Sequence, residues 1–172
     1  MERLAMQYLD YWKDKENRKP MIVRGPSGRG NLAYEDFNAF KLYAVDVGLL
    51  AAMGNISAKT LLKGSVIFEE FKGALTEQYV LQQLKTIREM AIYYWSSKKS
   101  SGEVDFVLQY NGNIYPVEVK AEENVQAKSL KSFKQKYPNT KAIRTSMSDY
   151  RDDAWLTNLP LFAIQSLTAL SI

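Results

Sequence analysis

The chain contains no cysteine and no histidine among its 172 residues. These absences exclude disulfide bonds, zinc sites of the Cys/His type, and serine or cysteine nucleophiles activated by a histidine. A metal site in this chain must therefore be built from carboxylates, which favour Mg²⁺, Mn²⁺ or Ca²⁺. A general base must likewise be a carboxylate or a lysine.

Long hydrophobic runs are also missing from the sequence. The most apolar stretch, residues 42–53, is too short to span a bilayer and contains Asp46. The first ten residues carry acidic side chains and lead into no apolar core, unlike a secretory signal peptide. We therefore expect a soluble, cytoplasmic protein without membrane contact, and the lack of cysteine agrees with that compartment.

The balance of charge is mild. Lysine and arginine number 23 against 19 acidic residues, which gives a net charge of +4. This excess is compatible with nucleic-acid binding but does not argue for it alone. Hydrophobic residues make up 46% of the chain, which predicts a folded domain with a well-filled core.

The hydrophobic periodicity predicts an α/β fold with a mixed central sheet flanked by helices. A long helix is predicted at residues 65–90, where apolar residues recur at helical spacing. Two alternating strands are predicted at residues 103–109 and 114–120, with an Asn-Gly turn between them. The other predicted elements are helices at 4–12, 47–53, 57–62 and 126–136, and strands at 21–24, 91–95, 142–145 and 161–164.

The Asn111-Gly112 turn fixes which residues face each other across this hairpin. A two-residue turn places Asp105 opposite Glu118 and Glu103 opposite Lys120, all on one face of the sheet. Two directly opposed carboxylates are unfavourable unless a divalent cation or a shared proton lies between them. The other, apolar face is predicted to carry Val104, Phe106, Leu108, Val117 and Val119.

Glu77 completes the predicted site. It lies in a largely apolar stripe of the long helix, so we expect partial burial and a nearby partner. Glu77, Asp105 and Glu118 are the predicted ligands of Mg²⁺ or Mn²⁺. The predicted catalytic residues are Lys120, Glu118 and Asp105, with Lys120 orienting a water nucleophile or stabilising negative charge. The alternative interpretation is a solvated strand face with ion pairs, and a Glu77 at the helix surface.

The order of these residues resembles the PD-(D/E)XK nuclease superfamily. Its motif is an acid on a helix, an aspartate on a strand, and an acid-x-Lys sequence on the next strand. Glu77, Asp105 and residues 118–120 (EVK) match that order. The resemblance implies a restriction-endonuclease-like core in which carboxylates hold Mg²⁺.

A more specific resemblance covers residues 34–164. This segment is similar to the C-terminal domain of uncharacterised prokaryotic AAA-type ATPases, the domain of unknown function numbered 4143. The resemblance implies a nuclease-like fold and an ATPase module as partner, and it supplies no settled activity. The matching signatures are KLYAVDVGLL at 41–50, FKGALTEQYV at 71–80, IYYWSSKKSSGEVDFVL at 92–108, PVEVKAEENVQAKSLKSFKQKYP at 116–138 and LTNLPLFAI at 156–164.

The N-terminal segment resembles the start of the same ATPases. Gly25 and Gly30 have the spacing of a P-loop, but Asn31 and Leu32 replace the lysine and the Ser/Thr that bind phosphate and Mg²⁺. We therefore expect no productive ATP binding. Residues 1–31 are interpreted as a remnant of the start of an ATPase module with a linker, and residues 32–172 as the nuclease-like C-terminal domain.

Two functions remain open from the sequence. One is a Mg²⁺-dependent phosphodiesterase that acts on nucleic acid. The alternative is a non-catalytic accessory domain that binds DNA or a protein partner for its ATPase. An oligomerisation or toxin–antitoxin-like regulatory role is neither favoured nor excluded. The lysines of the helix at 126–136 form either a solvated face or a surface that contacts phosphates.

Overall fold

The chain is described by a computed structural model that covers residues 22–24, 41–54, 56, 66–96, 102–121 and 127–169. The predicted helices at 4–12 and 57–62, and the predicted loop at 25–31 that contains the P-loop glycines, lie outside these residues.

A six-stranded mixed sheet forms the centre of the fold, which confirms the predicted α/β class. The order of its strands is β3-β4-β5-β6-β8-β7. Strands β3, β4 and β5 are antiparallel neighbours, β5, β6 and β8 run parallel, and β7 is antiparallel to β8. The strands are β3 (Ala91–Ser96), β4 (Glu103–Tyr110), β5 (Asn113–Val119), β6 (Ala142–Ser146), β7 (Arg151–Asp152) and β8 (Leu156–Pro160).

Two further strands form a separate antiparallel pair. These are β1 (Ile22–Arg24) and β2 (Leu42–Ala44). The helices are α1 (Val47–Met53), α2 (Val66–Leu84), α3 (Lys128–Lys136) and a 3₁₀ segment, Leu161–Ala169. Within the described part of the chain, every helix is too short or too polar to cross a bilayer.

Two predicted boundaries are wrong. The long helix ends at Leu84 rather than near residue 90, and Glu89 beyond it has a φ of 63°, which an α-helix cannot accommodate. The strand predicted at 161–164 is a 3₁₀ segment, and the strand precedes it as β8. Every residue of β8 is buried, including Thr157 and Asn158, so its sequence lacks the polar alternation that marks an exposed strand.

Apolar clusters cover both faces of the sheet. On one side, the α2 face, Val80 and Leu84 of α2 pack against Phe106, Leu108 and other residues of the sheet. On the other side, the α3 face, α3 contributes Leu130 and Phe133 to a second cluster. Side-chain alternation along each strand therefore decides which helix a residue faces.

The segment that carries β2 and α1 is fastened to α2 by glutamine side chains. Gln78 accepts a hydrogen bond from the N–H of Ala44 at 2.9 Å and donates one to its carbonyl at 2.8 Å. Gln82 binds the N–H of Val47 and the carboxylate of Asp46. Asp46 also caps α1 by accepting from the N–H of Leu49, as capping aspartates do. These contacts fix the backbone next to Lys41.

Candidate functional site

The β4–β5 hairpin has the predicted register over its paired length. Tyr110 pairs with Asn113 across the Asn-Gly turn, and the pairing continues to Phe106 and Val117. The turn residues Asn111 and Gly112 both have positive φ, as a two-residue hairpin turn of type I′ requires.

The paired ladder stops one residue short of the predicted carboxylate pair. Asp105 would face Glu118 next, but its Oδ2 instead accepts a hydrogen bond of 2.8 Å from the N–H of Val119. A side-chain acceptor therefore replaces a backbone carbonyl where the two strands separate. The carboxylate of Asp105 is fixed by this bond, with one oxygen left for other partners.

A β-bulge in β4 changes which face Asp105 occupies. Tyr93 pairs with Val107 and Trp95 pairs with Val104, so two residues of β4 oppose the single residue between them in β3. Val104 consequently packs on the α3 face, although Phe106 lies on the α2 face. The prediction that these two residues share a face is wrong. The predicted gathering of four polar side chains on one face fails for the same reason.

Lys41 is the centre of the charged cluster on the α2 face. Its Nζ lies 3.0 Å from Glu77 Oε1, 2.7 Å from Glu103 Oε1 and 3.7 Å from Asp105 Oδ1. The ammonium group also lies over the ring of Tyr94, 5.7 Å from the centroid. Three carboxylates from two elements of the fold therefore share one lysine.

Glu77 reaches this cluster from α2, as the sequence predicts. Its side chain is 25% exposed, and its Oε1 accepts hydrogen bonds from Lys41 Nζ and from the hydroxyl of Tyr43. Glu77 and Asp105 contact the same ammonium group, so the structure brings the helix acid and the strand aspartate together.

The electrostatics of the cluster favour added positive charge. Burial raises the pKa of Asp105 to about 6, and the negative charge of Glu77 adds to that rise. The N–H of Val119 and the cations Lys41 and Lys120 act in the opposite direction on this pKa. For Lys41, burial lowers the pKa, but the hydrogen bond to Glu103 and the charges of Glu77 and Asp105 outweigh it, and the net shift is upward.

Glu118 and Lys120 form the second part of the site. Val117 and Val119 pack on the α2 face, so alternation along β5 directs Glu118 towards the α3 face. Glu118 is only 4% exposed, and its Oε1 lies 3.0 Å from Lys120 Nζ. Its other oxygen, Oε2, is buried without a hydrogen-bond partner among the described residues.

The two parts of the site meet where the hairpin ladder ends. Asp105 is bonded to the residue that separates Glu118 from Lys120, and the charge of Lys120 acts on the pKa of Asp105. Glu77 and Asp105 therefore share the α2 face of the sheet, whereas Glu118 faces the opposite side and pairs with Lys120. The cross-strand pair Glu103–Lys120, which the alternative interpretation favoured, is replaced by Glu103–Lys41 and Glu118–Lys120.

Sequence reasoning missed Lys41 and Tyr43. Both belong to the KLYAVDVGLL signature, and they are two positions apart on an extended segment, so they point to the same side. That spacing was the sequence signal that Lys41 and Tyr43 lie on the same side of the chain. It could not show that the segment packs beside Glu77, because the contact spans more than thirty residues of sequence.

The lysines of helix α3 are of two kinds, one that stabilises the structure and three that are exposed. Lys134 Nζ donates to the carbonyls of Pro138 and Thr140 and so holds the turn that follows the helix. Lys128, Lys131 and Lys136 are exposed. A phosphate-binding role for this helix stays a prediction that rests on these three residues.

A divalent cation is compatible with the site in its donor chemistry. Within the described residues, no three acidic side chains are close enough together to hold a metal ion by themselves. Mg²⁺, however, commonly uses one or two carboxylates, with water and substrate phosphates completing its coordination. The buried, unpartnered Oε2 of Glu118 and the raised pKa of Asp105 both indicate oxygen atoms that a cation would stabilise.

A protein-family model described as a domain of unknown function (DUF4143) matches residues 72–163, which is just over half of the chain. No curated protein and no solved structure is significantly similar to the chain. The matched segment includes Glu77, Asp105, Glu118 and Lys120, and it begins after Lys41. The chain belongs to the DUF4143 family.

Proposed function

We propose that this DUF4143 domain is a restriction-endonuclease-like module of the PD-(D/E)XK type that cleaves nucleic-acid phosphodiesters with Mg²⁺ or Mn²⁺. One observation carries the proposal: the helix acid Glu77 and the strand aspartate Asp105 contact the same ammonium group, and Asp105 is bonded to the backbone of the Glu-x-Lys sequence where the β4–β5 ladder ends. The likeness to the C-terminal domains of AAA-type ATPases adds that the module acts beside an ATPase.

Glu77 and Asp105, which contact the same ammonium group, are the residues that would hold the cation, and Glu118 would serve the site from the other face of the sheet through its ion pair with Lys120. On the α2 face, the carboxylates of Glu77, Glu103 and Asp105 surround the single ammonium group of Lys41. A bound Mg²⁺ would polarise the phosphate and lower the pKa of a coordinated water.

The protein's own groups are suited to their roles in this proposal. The N–H of Val119 fixes the orientation of the Asp105 carboxylate, so this side chain is arranged before any ligand arrives. Lys120 is about one-third exposed beside Glu118, and its ammonium can therefore reach a phosphate or hold a water for attack. Glu118 is buried, and a carboxylate that is shielded from water attracts a cation more strongly than an exposed one does.

The decisive experiment is a cleavage assay with an isosteric variant. Wild-type protein should nick plasmid DNA or cleave labelled single-stranded DNA or RNA in Mg²⁺ or Mn²⁺. Glu118→Gln removes one charge and keeps the shape, and it should reduce cleavage at least about 100-fold. The exposed Glu89→Gln carries the same change and should leave the rate unaltered. Absence of both cleavage and Mn²⁺ binding in the wild type rejects the proposal.

A second function is favoured by the position of Lys41. Its ammonium already neutralises part of the acidic cluster, as it would in a domain that keeps the fold and binds DNA or a protein partner without catalysis. Calorimetric titration with Mn²⁺ separates the two functions. The accessory function expects no heat of binding for the wild type and expects Asp105→Ala to remain folded with its partner binding intact.

A further inference from the structure

Lys41 lies outside the motif that relates this chain to nucleases and outside the matched family segment. Its ammonium nevertheless occupies the point at which Glu77, Glu103 and Asp105 converge. Its side chain is 21% exposed, so these ion pairs are shielded from water and are stronger than surface pairs.

The backbone that follows Lys41 is held in place by hydrogen bonds, whereas the Lys41 side chain is free to rotate. Gln78 binds both the N–H and the carbonyl of Ala44, and Gln82 holds Asp46 and Val47, so the segment that follows Lys41 is fixed on α2. A lysine has a flexible four-carbon stem. The ammonium can therefore leave the carboxylates by rotation of the side chain, without movement of the strand.

We propose that Lys41 is an internal counter-cation that competes with a divalent metal ion for Glu77 and Asp105, so that the site binds metal only when the Lys41 ammonium swings out. The inference rests on the proposed function in taking these two carboxylates as metal ligands. It adds a form of control that the motif lacks: the empty site is neutralised by the chain itself, and a metal ion must displace that charge.

The position of Glu118 provides an independent reason to expect a metal ion there. Its buried Oε2 has no partner within the described residues, and the neighbouring Lys120 acts on both Glu118 and Asp105. Lys41 therefore neutralises one part of the site and leaves an unsatisfied carboxylate oxygen in the other.

The test compares Mn²⁺ affinity in three variants of the whole chain, measured by calorimetry or by electron paramagnetic resonance. Lys41→Met removes the competing charge and should bind Mn²⁺ at least about tenfold more tightly than wild type, because the competent state is no longer a minor population. Lys41→Arg keeps the charge and should show no gain. Lys85→Met, at an exposed position beyond α2, controls for the loss of one positive charge.

A second measurement needs no variant. Brief acetylation of wild-type lysines, read by mass spectrometry, should label Lys41 at least about twofold faster with saturating Mg²⁺ than without it, whereas labelling of Lys85 stays constant. Unchanged labelling of Lys41 in a protein that binds Mg²⁺ overturns the inference. This arm remains decisive if Lys41→Met does not fold.

The outcomes separate this inference from the proposed function. Tight Mn²⁺ binding by Lys41→Met alone supports the inference and contradicts metal-dependent cleavage by the wild type. Equal Mn²⁺ affinity in wild type and Lys41→Met overturns the inference and leaves the proposed function standing. Absence of Mn²⁺ binding in every variant overturns both.

Discussion

The two ends of the β4–β5 hairpin are determined by different kinds of interaction. At the turn end, Asn111 and Gly112 are exposed, and their φ angles of 49° and 77° follow from local backbone preference. At the open end, pairing stops after Phe106 and Val117, and charged groups from distant parts of the chain collect. One end is set by two adjacent residues, and the other end is set by tertiary contacts.

The comparison shows where stability and chemistry are placed in this domain. The turn end fixes the register and carries no titratable cluster. The open end contains a bulge, a buried carboxylate whose Oε2 has no partner among the described residues, and an aspartate with a raised pKa. The last two features reduce stability. Such features are expected at a site that performs chemistry or binds a ligand.

Truncating the last paired residue of β4 at the open end should have the largest effect on stability. Phe106 is the last paired residue before the ladder ends, is 2% exposed and lies 6.0 Å from the ring of Tyr43. Phe106→Ala should lower the free energy of unfolding by about 3–5 kcal/mol in urea denaturation. The matched change Phe162→Ala, at a side chain that is 84% exposed, should cost no more than about 0.5 kcal/mol. Equal losses in both variants would contradict this account of the core.

Removing the charge of Asp105 should change how stability depends on pH. A folded pKa of about 6, above the ordinary value of 3.8, means that wild-type stability falls as pH rises through this interval, because the folded state holds the proton more tightly. Asp105→Asn removes that loss. Its unfolding free energy relative to wild type should rise by about 1–3 kcal/mol between pH 4 and pH 7, measured in metal-free buffer.

Asp152 offers a control with the opposite sign. A hydrogen bond from Thr157 and the proximity of Lys141 lower the pKa of Asp152, so its contribution to stability is present above the ordinary pKa and lost as pH falls. Asp152→Asn should therefore lose stability relative to wild type as pH rises through 4. A parallel pH dependence in the two variants would show that Asp105 is not perturbed.

The smallest effect is expected at the turn end. Gly112→Ala meets no atom within 4 Å of the added Cβ, so only its φ of 77° opposes the change. The unfolding free energy should fall by about 1–2 kcal/mol. Mn²⁺ affinity should stay as in wild type, because the turn lies at the far end of the hairpin. A change in Mn²⁺ affinity without a change in unfolding free energy would contradict the conclusion that the turn and the open end act independently.

Much of the fold was predictable because its signals are local. The Asn-Gly turn gave the hairpin and its register, and Asp46 before an apolar run marked the start of α1. The mixed sheet followed from the order of strands and helices. The family resemblance added the expectation of a nuclease-like site. Of its residues, the structure joins Glu77 and Asp105 through Lys41 and directs Glu118 to the opposite face of the sheet.

The errors arose where tertiary contacts override local pattern. The bulge beside Tyr94 moves Asp105 to the face of Phe106, and strict alternation has no means of anticipating an extra residue. The role of Lys41 depends on packing between β2 and α2, which are far apart in sequence. The strand at β8 was misplaced because burial of Thr157 and Asn158 removes the usual distinction between inward and outward residues.

The paired hydrogen bonds between Gln78 and Ala44 have a practical consequence for fragment design. Gln78 is 1% exposed, and its side-chain amide accepts from the N–H of Ala44 and donates to its carbonyl. A neighbouring β-strand would make the same pair of hydrogen bonds. A fragment that began at residue 72, where the family match starts, would leave that amide without partners and uncover Leu75, which packs with Ala51 and Ile56. Each lost partner costs about 1–3 kcal/mol. The cooperative unit therefore extends upstream of the family boundary, and expression of an isolated domain should include the segment from Lys41.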